Sequence, residues 1–141
     1  MNESFSSIWL EIGKPRQKKI LLCCAYRDWK YMHQQDDSSR TLEDQMSRWI
    51  SFLDQWEAAV ASGREICVIG DINLNFLTWM NSNVTQTSHA KKLQPLVNEL
   101  FNRIIPYGFK QLVSEPTRFM SGCEPSGLDH IYLFEPTKPY V

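Results

Sequence analysis

No stretch of this 141-residue chain approaches the run of about 18 apolar residues that a membrane span requires, which argues against an integral membrane protein. Nor is there a leader of the secretory kind, since Met1 is followed by the polar Asn2, Glu3 and Ser4. Charge of one sign is missing too. The formal net charge is -1, so no global basic field announces a nucleic-acid partner, and the single basic cluster, Lys14, Arg16, Lys18 and Lys19 beside Pro15, reads as a solvated hairpin turn. Near-neutrality does not exclude a nuclease that grips its substrate through a metal and local hydrogen bonds. The four cysteines, Cys23, Cys24, Cys67 and Cys123, lack Cys-x-x-Cys spacing, which leaves neither a zinc site nor a disulfide framework. Three of them lie in apolar strand candidates, where free cysteine acts as a small hydrophobe and suits a reducing compartment, cytoplasmic or nuclear. Internal repeats and low-complexity segments are absent as well.

What is present is apolar material for one core. At 43% hydrophobic and 12% aromatic, residues 1–141 form one folding unit or part of one, too short for two domains. Residues 8–12 and 19–26 flank Gly13-Lys14-Pro15 as an antiparallel hairpin, followed by a polar loop over 28–39. Thr41 and Asp44 have capping-box spacing. Leu42, Met46, Trp49, Ile50, Leu53, Trp56 and Val60 then recur at helical intervals until Gly63, a stripe that reads as core packing. Residues 77–87, rich in Asn, Ser and Thr, read as a loop over a sheet edge. Leu93, Leu96, Val97, Leu100, Phe101 and Ile104 predict a second helix that Pro95 must start or kink. Gly108 ends it, and 109–113 and 128–134 complete the strand candidates. Strands alternating with helices make the chain α/β.

The most informative segment is Ile66-Cys67-Val68-Ile69-Gly70-Asp71-Ile72-Asn73, an apolar run without helical spacing that ends in two polar residues. If it is extended throughout, Asp71 and Asn73 project to one side and Ile72 to the other. A carboxylate and an amide on one face can hold a water and a phosphate together. The same pattern also occurs where a strand merely enters a turn or a helix cap.

Tyr26-Arg27 precedes this segment, and Pro116-Thr117-Arg118 and Ser126-Gly127-Leu128-Asp129-His130-Ile131 follow it. In this order and spacing, from Ile8 to Phe134, the chain resembles the endonuclease/exonuclease/phosphatase superfamily, and within it the endonuclease domains of non-LTR retrotransposons. The resemblance implies a partial four-layer α/β/β/α sandwich with two mixed sheets. It implies catalytic roles for Asp71, which would orient and help deprotonate a water, for Asn73, which would hydrogen-bond the scissile phosphate, and for Asp129, which would hold a histidine in its working tautomer. Tyr26 matches a position whose hydroxyl contacts the phosphate, though an aromatic anchoring its strand is an equal reading. Arg27, Asn75, Thr117, Arg118 and Ser126 fall at substrate-binding positions, and Arg118 could equally brace a loop. His130, adjacent to Asp129, should point the other way and be structural or surface-exposed; His33 and His89 match no family position.

The family pattern also contains an upstream metal-binding glutamate, a further asparagine and a closing Ser-Asp-His, and none of these is matched here; Glu11 lies in the hairpin and is not that glutamate. The expectation is therefore part of a magnesium- or manganese-dependent endonuclease that nicks DNA during retrotransposon integration. The chain would be inactive alone, with no certain metal ligand, and the resemblance implies a parent that can be fused to a reverse transcriptase. The other readings are a superfamily member acting on abasic-site DNA or a phosphorylated lipid or inositol, and a non-catalytic remnant or domesticated binding module. Thr117-Arg118 and the Ser126 to Asp129 spacing favour the retrotransposon branch.

Overall fold

A computed structural model describes residues 5–13, 15–27, 38–80 and 91–136. Strands β1 (Phe5–Ile12) and β2 (Ile20–Arg27) form the expected antiparallel hairpin, Ile12 opposite Ile20 and Phe5 opposite Arg27. Arg16 takes a left-handed φ of 68° in the turn, while Lys19 reaches back 2.7 Å to Glu11. Helix α1 (Ser38–Ala61) returns the chain so that β3 (Glu65–Asp71) lies parallel to β2. The helix begins before Thr41, which therefore sits in its first turn and not at its cap. A one-turn helix α2 (Leu77–Met80) occupies the start of the expected loop over 77–87; residues 81–87, like His33, His89, Lys14 and most of the loop at 28–39, lie outside the described residues. Helix α3 (Gln94–Arg103) carries Pro95 in its first turn, where the missing N–H is harmless, so the proline starts the helix without kinking it. A 3-10 turn over Ile105–Tyr107 leads through Gly108 to the short β4 (Lys110–Gln111), and β5 (Asp129–Phe134) runs antiparallel to both β3 and β4.

The sheet is mixed and five-stranded, in the order β1-β2-β3-β5-β4. The α/β class is as expected, but among the described residues there is one sheet, with helices on one face only. That face receives Cys23, Ala25, Ile66, Val68 and Tyr132 from the strands, and it packs against Trp49, Phe52, Leu53, Trp56 and Ala59 of α1 and Leu96, Val97 and Leu100 of α3. Trp56 lies edge-on to Phe109 and Tyr132, with centroids 5.1 and 5.2 Å away, and Trp49 donates from Nε1 to the Leu96 carbonyl at 2.9 Å, tying α1 to α3. Arg103 ties the same helices on the outside by binding Asp54 and Glu57. The tryptophan stripe of α1 is thus core, as its spacing predicts.

Among the described residues, no element covers the other face of the sheet. Side chains two apart alternate with the buried set, so Ile8, Leu10, Ile12, Ile20, Leu22, Cys24, Tyr26, Cys67, Ile69, Ile131 and Leu133 share it. Ile8 is 62% exposed and Leu10 48%.

Candidate functional site

Register, more than chain position, assembles the site. Tyr26 is paired with Asp71 across β2 and β3, and Asp71 with Asp129 across β3 and β5. The three therefore form one row on the uncovered face, at the end of the sheet where β2 and β3 finish and β5 begins. Asp71 and Asp129 border a shallow depression of about 370 Å³, lined also by Cys24, Ile69 and Ile131. Gly70 is required beside Asp71 because a Cβ there would lie 1.9 Å from the Ala25 carbonyl oxygen. The glycine lets β2 and β3 close tightly where they deliver Tyr26 and Asp71.

Two carboxylates directly opposed across an antiparallel pair repel. Burial, and then the Asp129 charge, hold the Asp71 carboxyl above the usual carboxylate range, against the backbone of Asn73, Arg118 and Arg27, which pull it down. Asp71 Oδ1 is buried without a hydrogen-bond partner. The arrangement can take up a proton or a cation, and Arg118 places a positive charge at its border.

Asn73 does not join the row. β3 ends at Asp71, and Asn73 turns into the left-handed region at φ 54°, which asparagine tolerates, so the alternation that would align it with Asp71 stops first. Its side chain is buried and its Nδ2 donates to the Arg27 carbonyl. Arg27 is buried too, on the helix side: Nε and a terminal nitrogen donate to the Ile72 and Asn73 carbonyls, both at 2.7 Å, and the other terminal nitrogen donates to Gln45 Oε1 at 3.1 Å. Arg27 and Asn73 thus lock each other, and they fix the ends of β2 and β3 immediately next to Tyr26 and Asp71.

The remaining signature residues brace loops. Asn75 Oδ1 accepts from the backbone N–H of Gly127 at 2.9 Å and of Leu77 at 3.2 Å. Thr117 Oγ1 accepts from the N–H groups of Leu128 and Asp129, both at 3.2 Å, and so sets the start of β5. Arg118 and Ser126 form an isolated antiparallel bridge that closes the hairpin between them. Gly127 leaves room for Phe76, whose ring would stand 2.3 Å from an added Cβ.

His130 points away from Asp129, as strand alternation requires. It is buried, its Nε2 lies 2.6 Å from the Leu74 carbonyl oxygen and its Nδ1 2.8 Å from the Tyr132 hydroxyl; burial pushes its pKa down to about 4. Two residues of this scaffold escape sequence reasoning. Gln45 sits in the amphipathic pattern of α1 as an ordinary polar position, yet it is buried against Arg27. Phe76 lies where turn-forming residues suggest a loop, and it is fully buried.

Among the described residues, no group of three or more His, Cys, Asp and Glu side chains is placed to hold a metal ion, and no helix is long and apolar enough to cross a membrane. Comparison with known protein-family models, curated proteins and solved structures finds no match.

Proposed function

We propose that the row of Tyr26, Asp71 and Asp129 is part of a phosphodiesterase centre of the endonuclease/exonuclease/phosphatase type, the parent protein nicking DNA in the manner of a non-LTR retrotransposon endonuclease. The observation that carries this reading is the convergence of three residues, 103 positions apart in sequence at the extremes, on one edge of one sheet face. In the four-layer form of the fold, a second sheet would pack on that uncovered face and close the depression into a cleft.

Asp71 is the group to accept a proton from water: burial and the Asp129 charge hold its carboxyl above the ordinary range, which makes the carboxylate a better base. Tyr26, 45% exposed, is free of the core and can direct its hydroxyl at a phosphate oxygen. Arg118 adds positive charge beside the row. Asp71 and Asp129 suit a magnesium ion, which takes one or two carboxylates and otherwise keeps water, and the unpartnered Asp71 oxygen fits the same role. When bound, such an ion would neutralise charge that develops on the phosphate. The reading gives Asp129 an imidazole to orient, and His130 cannot be that group because its ring faces the core. Residues 1–141 alone are therefore proposed to be inactive, with the histidine and the glutamate contributed by the parent.

The locked Asn73 favours a second reading, a non-catalytic remnant or binding module, because its amide serves the fold and is not offered to a ligand. Conversion of supercoiled to nicked plasmid with magnesium separates the two. A parent carrying the flanking segments should nick, and Asp71→Ala should abolish the activity. Full activity in Asp71→Ala would sink the nuclease reading.

A further inference from the structure

We propose that Gln45 of α1 is a positioning residue for the acidic row that Asp71 and Asp129 form with Tyr26: acting through Arg27, it sets how Asp71 is held against Asp129 and, with that, how tightly the pair grips a divalent cation. The part that concerns the cation rests on the nuclease reading, and the part that concerns the holding of Asp71 stands apart from it.

A continuous path of hydrogen bonds runs from the helix layer through the sheet to both carboxylates. Gln45 is 1% exposed and accepts from Arg27 at 3.1 Å. Arg27 donates to the Ile72 and Asn73 carbonyls, both at 2.7 Å, and its own carbonyl accepts from the Asn73 side chain. The same two residues, Ile72 and Asn73, donate their backbone N–H groups to the Leu128 carbonyl at 2.8 and 3.3 Å. Leu128 immediately precedes Asp129, and the N–H groups of both end on Thr117 Oγ1. Asp71 therefore stands directly before a turn that Arg27 clasps from the helix side and that is bonded sideways to the residue before Asp129. A shift of that turn changes the separation of the two carboxylates.

Gln45 fixes the guanidinium within this path. Donations to two adjacent carbonyls leave the planar fork able to pivot about its stem, and a third, to an acceptor outside the turn, stops it. The acceptor stands on a helix that the core holds in place, because Trp49, one turn further along the same face, is buried and bonded to the Leu96 carbonyl of α3. A polar side chain on the core face of a helix costs stability unless it is paired, and here the pairing leads to the row. The residue type fits as well. The charge of Arg27 helps to pull the Asp71 pKa down, and an amide anchors the fork without adding a carboxylate beneath Asp71.

The test uses the whole chain and substitutions at this position. Gln45→Met keeps the volume and removes the acceptor, Gln45→Asn withdraws it by one methylene, and Gln45→Glu retains it. Native-state hydrogen exchange separates local loosening from a general loss of stability, which lowers the protection of all core amides together. In Gln45→Met the Ile72 and Asn73 amides should lose about tenfold more protection than those of the core residues Cys23 and Val68; Gln45→Asn should do the same more weakly, and Gln45→Glu should keep the two sets in step. Should Gln45→Met not fold, Gln45→Asn carries the comparison alone. Trp49→Phe, which loses a bond on the same helix away from the row, should lower both sets equally. Titration with Mn2+, followed by water-proton relaxation, should give an affinity about three- to tenfold lower in Gln45→Met, short of the roughly 10- to 100-fold that follows loss of a partner bonded directly to a metal ligand. Ile72 and Asn73 losing protection only in step with the core in both Gln45→Met and Gln45→Asn would overturn the proposal, as would an Mn2+ affinity unchanged in Gln45→Met. An unsubstituted chain that binds no Mn2+, with Ile72 and Asn73 loosened in the variants as expected, would refute the cation at Asp71 and Asp129 and leave Gln45 as the residue that holds the row.

Discussion

Replacing Arg27 tests how the acidic row is held. Its guanidinium, 1% exposed, makes two hydrogen bonds of 2.7 Å to carbonyls of the turn after β3 and one of 3.1 Å to Gln45. Hydrogen bonds from a charged group contribute about 1.5–3 kcal/mol each, and a buried acceptor left without a donor costs about 1–3 kcal/mol. These terms overlap, because the desolvation of Arg27 is itself recovered when it is removed. Arg27→Met, which keeps most of the apolar stem and deletes the donors, should therefore destabilise the chain by about 3–5 kcal/mol, in the range seen when one member of a buried polar set is lost. For a domain of this size that corresponds to a fall in Tm of about 10–20 °C. Arg27→Lys should recover less than half of the loss, since one ammonium cannot span two carbonyls in the planar fork that arginine provides. Urea unfolding at fixed protein concentration is the assay. Both variants falling within about 1 kcal/mol of the parent sequence would refute the claim that Arg27 fastens the ends of β2 and β3.

Protonation of His130 should destabilise the fold: its folded pKa is lowered to about 4 against about 6.5 unfolded, so its contribution is intact above pH 6.5 and is lost as pH falls toward 4, about 3 kcal/mol in all. A stability profile in that window that is unchanged by His130→Gln would refute it. Asp71 has the opposite sign, its raised pKa making the ionised form the less stable one, so Asp71→Asn should leave stability at pH 7 unchanged or higher by up to about 1 kcal/mol, and under the proposed nuclease reading it should cost about 100 to 10,000-fold in nicking; a marked loss of stability would count against the repulsion between Asp71 and Asp129. Gly70→Ala should destabilise by more than about 2 kcal/mol, because its Cβ would sit against backbone and not a movable side chain, and chemical denaturation will show whether the strands instead part without cost. Trp56→Phe should cost less than about 1.5 kcal/mol although the ring is fully buried, since its Nε1 has no hydrogen-bond partner to lose; a loss as large as that of Trp56→Ala would refute this.

The sequence by itself determined the hairpin, the buried stripe of α1, the apolar run of β3, the existence of α3 and the opposite orientation of Asp129 and His130. All of these follow from periods of 2 or 3.6 residues and from local backbone chemistry, which act over a few positions. Only the tertiary structure decided which face of the sheet is left open and that Tyr26, Asp71 and Asp129 share a row on it, because register between strands far apart in sequence depends on how the hairpin, α1 and β5 pack. It decided the fate of Asn73 as well. Strand alternation places Asn73 beside Asp71, yet the strand stops two residues early, since Arg27 supplies donors to the Ile72 and Asn73 carbonyls and accepts the Asn73 amide in return. That exchange joins residues 46 apart, and no local pattern in either segment encodes it.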